Sequence, residues 1–220
     1  MIITIDGPAG SGKSTAARSL AKRLGIAYLD TGATYRAVTL KALREGVDMR
    51  DQNALAGVAR SADIKLVPNA GGLAVFLDGK DVSLDIRTHE IAQNIHFVAS
   101  AGPVREVLVE LQRSIGRGLG SFVAEGRDQG SVVFPDADLK FYLSARPEIR
   151  ARRRLAEMSG QGQAVSYDDV LQSIIHRDRH DSSREIAPLV KPAGAIEIDT
   201  SDNTIEQTTA ALAAIAESRL

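Results

Sequence analysis

The sequence predicts an α/β fold built on a parallel β-sheet flanked by helices. Two observations carry this. An apolar, β-branched run at the N-terminus leads through a glycine-rich turn into an amphipathic helix. Strand and helix patterns then alternate along most of the chain, at a spacing that suits right-handed crossovers. A third observation qualifies them: the alternation is interrupted once, by short strands around a polar turn.

In order, Met1–Asp6 reads as a buried strand and Gly7–Gly12 as the glycine turn. Lys13–Leu24 follows as a helix with Ala16, Ala17, Leu20, Ala21 and Leu24 on one face, stopped by Gly25. Ile26–Leu29 reads as a strand and Thr34–Arg44 as a helix. Asp63–Val67 and Leu73–Leu77 flank Asn69-Ala70-Gly71-Gly72, a hairpin pattern, and Lys80–Ser83 adds a short third strand. Thr88–Ala99 and Pro103–Arg117 are helical. The alternation resumes with strands at Phe122–Glu125 and Leu139–Leu143, a basic helix at Pro147–Met158, and a polar, glycine-bearing break at Ser159–Gln163. Tyr167–Arg179 is a helix, Ala195–Ile198 a strand and Ile205–Arg219 a closing helix. The span from about Asp63 to about Gly102 is expected to be an insert that covers or selects a second ligand.

Bulk properties narrow the function. At 220 residues, 44% hydrophobic and 25% charged, the chain supports one globular domain without staples. It has no cysteine, which excludes disulfides and thiolate metal sites and predicts a reducing cytoplasm. The net charge of −1 gives no footprint for nucleic acid or membrane surfaces. No apolar run reaches the roughly 20 residues needed to span a bilayer, and no basic region with a cleavage signature predicts secretion. The balanced charge points to a monomer.

The sharpest motif is Gly7-Pro8-Ala9-Gly10-Ser11-Gly12-Lys13-Ser14, which fits G-x-x-x-x-G-K-[ST] and sits between a strand and a helix. Its glycines let backbone N–H groups face phosphate oxygens, and the helix N-terminus adds a favourable dipole. Lys13 can reach the β and γ phosphates of ATP, and the Ser14 hydroxyl can ligate Mg²⁺. No Asn-Lys-x-Asp element for reading guanine is present. After the second strand, Asp30-Thr31-Gly32-Ala33-Thr34-Tyr35-Arg36 supplies Arg36 for a second phosphate and Asp30 for Mg²⁺, directly or through water. Equally, Asp30 or Thr31 caps a helix there and Arg36 is solvated. Glu125-Gly126-Arg127-Asp128-Gln129-Gly130 is either a turn with a surface ion pair or a close-approach loop, with Arg127 for phosphate and Asp128 for a base amino group. Arg150, Arg152, Arg153, Arg154, Arg177, Arg179 and Arg184 bracket the break at Ser159–Gln163. They are either a solvated face or the cations of a closing lid. His176 and His180 share helical spacing, but no third ligand supports a metal site.

Taken with Val132-Val133-Phe134-Pro135-Asp136-Ala137, Arg177-Asp178-Arg179-His180-Asp181 and Ala187-Pro188-Leu189, these motifs occur in an order that closely resembles the bacterial cytidylate kinases. The resemblance covers essentially the whole chain. It implies a P-loop kinase with a parallel β-sheet core flanked by helices, a small β/α insert that binds the nucleoside monophosphate, and a short lid. The expected division is one kinase domain, 1–220, with its core at 1–62 and 103–220, the insert at about 63–102 and the lid at about 155–166. It implies ATP- and Mg²⁺-dependent phosphorylation of CMP and dCMP. The loop from Gly7 through Thr15 resembles the ATP phosphate site; Thr31 and Tyr35 fall among the acceptor-binding positions. Arg36 and Arg127 resemble the residues that hold the CMP phosphate. Arg105, Asp128 and Arg184 resemble those near the cytosine, Arg177 and Asp181 those near the sugar, and Arg153 and Arg154 the lid arginines. Gln129 stands where the family usually has an apolar residue, and Thr31 where serine is common. The alternatives are a P-loop kinase for another small metabolite and a slow P-loop ATPase switch.

Overall fold

The computed structural model describes residues 1–69, 72–160 and 165–219. It is an α/β chain that divides into two compact units, one formed by Met1–Ile26 with Val123–Leu220 and the other by Ala27–Phe122.

The first unit opens with β1, Ile2–Asp6, whose Ile3 and Ile5 are fully buried. The helix α1, Lys13–Leu24, has its expected limits. Gly25 ends it in a left-handed conformation, φ 66°, with its N–H turned back to the carbonyls of Ala21 and Lys22. Small residues at Ala16, Ala17 and Ala21 let this helix pack closely.

The second unit begins with β2, Ala27–Asp30, and α2, Thr31–Arg44. This helix starts earlier than the apolar pattern suggests, because the Asp30 carboxylate accepts from the Ala33 N–H at 3.0 Å and caps it. A helix that the sequence reading passed over, α3 at Gln52–Ser61, is capped by Asp51 through the Asn53 and Ala54 N–H groups. The hairpin is present as β3, Ile64–Asn69, antiparallel to β4, Gly72–Leu77, with Ile64 opposite Leu77. A two-residue strand β5, Lys80–Asp81, pairs with β4. Between them Asp78 takes a positive φ of 50°, held by Lys41 and by the Asp63 N–H. The helices α4, His89–Ser100, and α5, Gly102–Leu119, complete the unit. One core joins Leu55, Val75, Ile86, Val98, Val104 and Leu108. Within it Gln112 is buried and donates to the Thr34 hydroxyl at 2.9 Å.

The chain returns to the first unit through β6, Phe122–Gly126, all of it buried. A single π-helical turn follows at Gln129–Val133. Next come β7, Leu139–Ser144, then α6, Pro147–Gly160, α7, Tyr167–Ser182, β8, Ile196–Asp199, and α8, Ile205–Glu217. The sheet strands of this unit lie in the order β6-β1-β7-β8. β1 runs parallel to β7 with Ile5 opposite Phe141, and β7 parallel to β8 with Phe141 opposite Ile196. Ala151, Met158, Val170 and Ile174 clip α6 to α7. The expected break at Ser159–Gln163 begins later than read, since α6 runs through Gly160; residues 161–164 of the expected lid lie outside the described residues. Among the described residues no helix is long and apolar enough to cross a membrane.

Leu108 is fully buried in the second unit. Leu108→Ala is expected to lower the unfolding free energy by about 2–5 kcal/mol, read as a reduced midpoint in urea.

Candidate active site

The glycine loop leaves β1 at Gly7, whose φ is 154°. A Cβ there would lie 2.2 Å from the Leu143 carbonyl oxygen, so only glycine fits between the loop and β7. The loop ends at Gly12, also left-handed at φ 83°, which starts α1 with no side-chain cap and no acidic residue in the first turn. The positive end of the helix dipole is thus left for another anion.

Lys13 is buried and its Nζ donates to the Pro8 carbonyl at 3.1 Å. Its ammonium is pushed down to about 7, first by burial and then by Arg127, with Arg177 adding to the effect and Glu125 and Asp181 opposing it. Ser14 Oγ donates to Glu125 Oε1 at 2.7 Å, so the loop's hydroxyl is tied to the end of β6. Two further groups hold the loop from behind. Thr200 Oγ1 donates to the Ser11 carbonyl at 2.9 Å. Arg150 is buried and its Nη1 reaches the Ala9 carbonyl at 3.2 Å, while its guanidinium grips both oxygens of Asp178 at 3.0 and 2.5 Å. Ala9 is half-buried; Gly10 and Thr15 are exposed.

Beside the loop, in the same unit, lies a cluster of paired charges. Arg127 Nε donates to Asp181 Oδ2 at 2.9 Å, and Arg184 donates to the other oxygen of the same carboxylate. Burial works against ionisation of Asp181, but Arg127, Arg184 and Arg177 together hold its carboxyl below the ordinary value. Asp128 is buried at the entrance to the π-helical turn. Asp6, the last residue of β1, accepts from the Gln129 and Gly130 N–H groups. Burial pushes the Asp6 carboxyl up to about 7; the two N–H groups and Lys13 pull against this, and Asp128 adds to it.

The arginines of α6 separate into distinct roles. Arg150 is buried behind the glycine loop. Arg153 donates to the Thr200 carbonyl at 2.5 Å and to its hydroxyl at 3.2 Å. Arg154 pairs with Glu157 at the surface, and Arg152 and Arg179 are exposed. Sequence reasoning did not single out Asp6, Glu125, Arg150 or Thr200 for these positions. Asp6, Glu125 and Arg150 lay within patterns it noted, Asp6 as the end of the first strand, whereas Thr200 follows the last strand and lay in none.

In the second unit the capping alternative at Asp30 is realised, and Arg36 is more than a solvated cation. Asp30 uses one oxygen on the Ala33 N–H and the other on Arg36 Nη2 at 2.7 Å. Arg36 Nε is buried with no hydrogen-bond partner, which leaves a donor to offer. Thr31 is buried and its carbonyl accepts from Thr34. The Arg105 guanidinium stacks 5.6 Å over the Tyr35 ring and reaches the Ala99 carbonyl at 3.3 Å. Among the described residues no group of three or more His, Asp or Glu is arranged to hold a metal ion.

A strand, a phosphate-shaped glycine loop opening a helix, and arginines gathered beyond the strand ends together define a P-loop kinase. The cytidylate kinase family model matches residues 3–218, and the chain belongs to that family. A cytidylate kinase of Caldanaerobacter subterraneus subsp. tengcongensis is 51% identical over 93% of this chain and 89% of its own length. One from Pelotomaculum thermopropionicum is 50% identical over 93% and 91%. Among solved structures, shikimate kinase from Bacteroides thetaiotaomicron superposes with a TM-score of 0.50 at 14% identity, covering 99% of this chain and 98% of that one, a likeness of fold alone.

Between pH 7 and its ordinary value of 10.5, Lys13 binds a proton in the unfolded chain that it lacks in the folded one. Its contribution to stability therefore rises with pH across that window. Denaturant titrations of the ligand-free protein at pH 7 and pH 9.5 should show this gain, and Lys13→Met should remove it.

Proposed function

We propose that the protein transfers the γ-phosphoryl group of ATP to CMP and dCMP, giving CDP and dCDP, by direct in-line displacement. The observation that carries this is the buried Lys13 beside Arg127 and Arg177, at the uncapped start of α1. Such a cluster lowers the cost of charge spread over transferring phosphate oxygens. Gly7, Pro8, Ala9, Gly10, Ser11, Gly12, Lys13, Ser14 and Thr15 take the ATP phosphates. Lys13 neutralises the β and γ oxygens, and Arg127, Arg153 and Arg154 serve the transferring group. No general base is needed, since the acceptor phosphate is already largely ionised.

Asp128 is buried where its carboxylate can accept from the N4 amino group of cytosine. Uracil presents a carbonyl at that position, which leaves both groups unpaired. Arg184 and Arg105 donate to the base, Arg177 and Asp181 address the sugar, and Thr31, Tyr35 and Arg36 the acceptor nucleotide and its phosphate. The segment at about 63–102 is assigned to the acceptor and about 155–166 to a lid. Mg²⁺ would be held by Ser14 Oγ, with Glu125 Oε1 a second hard oxygen 2.7 Å from it; Asp30, both of whose oxygens already accept hydrogen bonds, is left a role through water. When bound, the ion neutralises the β and γ phosphate oxygens. The setting is taken to be the cytoplasm, and the working form a monomer that needs no nucleic-acid or membrane partner.

ADP release with ATP and Mg²⁺ against CMP, dCMP, UMP, AMP, GMP and sugar acids tests the reading. Release should depend on CMP or dCMP. Release without any acceptor, or with a sugar acid alone, would overturn it. In the same assay Lys13→Ala should lower kcat by about 10²–10³-fold. Asp128→Ala should erode the preference for CMP over UMP by roughly 5–150-fold, the equivalent of about 1–3 kcal/mol.

A further inference from the structure

Asp6 is fully buried at the end of β1 and is the residue immediately before the glycine loop. Its Oδ1 accepts from the Gln129 N–H and its Oδ2 from the Gly130 N–H, each at 2.8 Å. These are the first two amides of the π-helical turn Gln129–Val133, donors that a helical turn leaves without partners of its own. Asp6 therefore caps a turn 123 residues away in sequence. The turn is also held by its own carbonyls: that of Asp128 accepts from the Val132 N–H at 2.9 Å and the Val133 N–H at 3.2 Å, and that of Gln129 from the Phe134 N–H at 2.7 Å. The peptide that joins Asp128 to Gln129 is thus held at both its carbonyl and its N–H. The turn is also pressed onto β1: a Cβ on Gly130 would lie 2.8 Å from Thr4 Oγ1 and 3.1 Å from Pro192.

Capping alone does not call for a carboxylate here. A buried acid pays heavily for its charge, and Asp128 is close enough to repel it. What a carboxylate adds is two acceptors in a rigid fork, which set two adjacent amides at once. We propose that Asp6 is a positioning residue for acceptor selection: it fixes the turn that presents Asp128, and so ties recognition of the acceptor's base to the strand that leads into the ATP loop. The proposal rests on the assignment of Asp128 to the cytosine amino group.

The test is steady-state kinetics on Asp6→Asn, which keeps the size and one acceptor but turns an NH₂ toward the second amide. A buried amide left unsatisfied is worth about 1–3 kcal/mol. KM for CMP should rise and the CMP-over-UMP preference fall by roughly 5–150-fold, with KM for ATP nearly unchanged. In an Asp128→Ala background, Asp6→Asn should cost no further preference, because the two act through one contact. Gly130→Ala, which keeps the Asp6 carboxylate but displaces the amide that its Oδ2 accepts from, should give the same pattern and decides the matter if Asp6→Asn does not fold. An unchanged CMP-over-UMP preference would overturn the proposal. So would a further loss in the Asp128→Ala background, or an equal rise of both KM values. If wild-type protein itself shows no preference for CMP, it is the reading of Asp128 that fails, and this is measured first.

Discussion

The burial of Lys13 is the constraint from which the rest of the first unit's chemistry follows. A lysine taken out of water beside two arginines holds its proton weakly, and the carboxylates of Glu125 and Asp181 offset only part of that cost. Each of those carboxylates is already committed, Glu125 to Ser14 and Asp181 to Arg127 and Arg184. The site therefore carries a standing deficit of negative charge. On the proposed function a polyphosphate removes it, and the free energy released on doing so is available for holding the reacting groups in line.

The paired state of these arginines has a second effect. Arg127 and Arg184 are not waiting in solvent with many rotamers open; one buried carboxylate holds both. Side-chain entropy that a ligand would otherwise have to remove has been spent during folding. Arg36 is held in the same way by Asp30 in the second unit, with its Nε still unsatisfied.

Much of the fold was legible in the sequence, and what was missed has physical reasons. The limits of α1 were readable because lysine, alanine periodicity and a terminal glycine all agree on them. The hairpin at β3 and β4 was readable from its turn residues. The helix α3 was not read, although Asp51 supplies a cap and Leu55, Val58 and Ala59 recur at helical spacing; Gly57 and the polar residues before it mask the pattern. At the site, the loop and the loop arginines could be named from motifs. The bond between Ser14 and Glu125 joins residues 111 apart, and the bonds from Asp6 to the π-helical turn span a similar distance. Local pattern carries no information about such partners. Nor does it separate Arg150 from Arg153 and Arg154: they lie on one helix three and four residues apart, and only the packing decides that Arg150 goes inward while Arg154 stays at the surface.

Three carbonyls of the glycine loop are each held by a side chain: Pro8 by Lys13, Ala9 by Arg150 and Ser11 by Thr200. A peptide unit is planar and trans, so its N–H points opposite to its carbonyl. Holding the oxygens of Pro8, Ala9 and Ser11 therefore sets the direction of the amides of Ala9, Gly10 and Gly12. The loop is steered through its carbonyls. Arg150 and Thr200, to which the proposed function gives no phosphate, help determine where the hydrogens that would meet one are aimed, and glycines supply the freedom to obey.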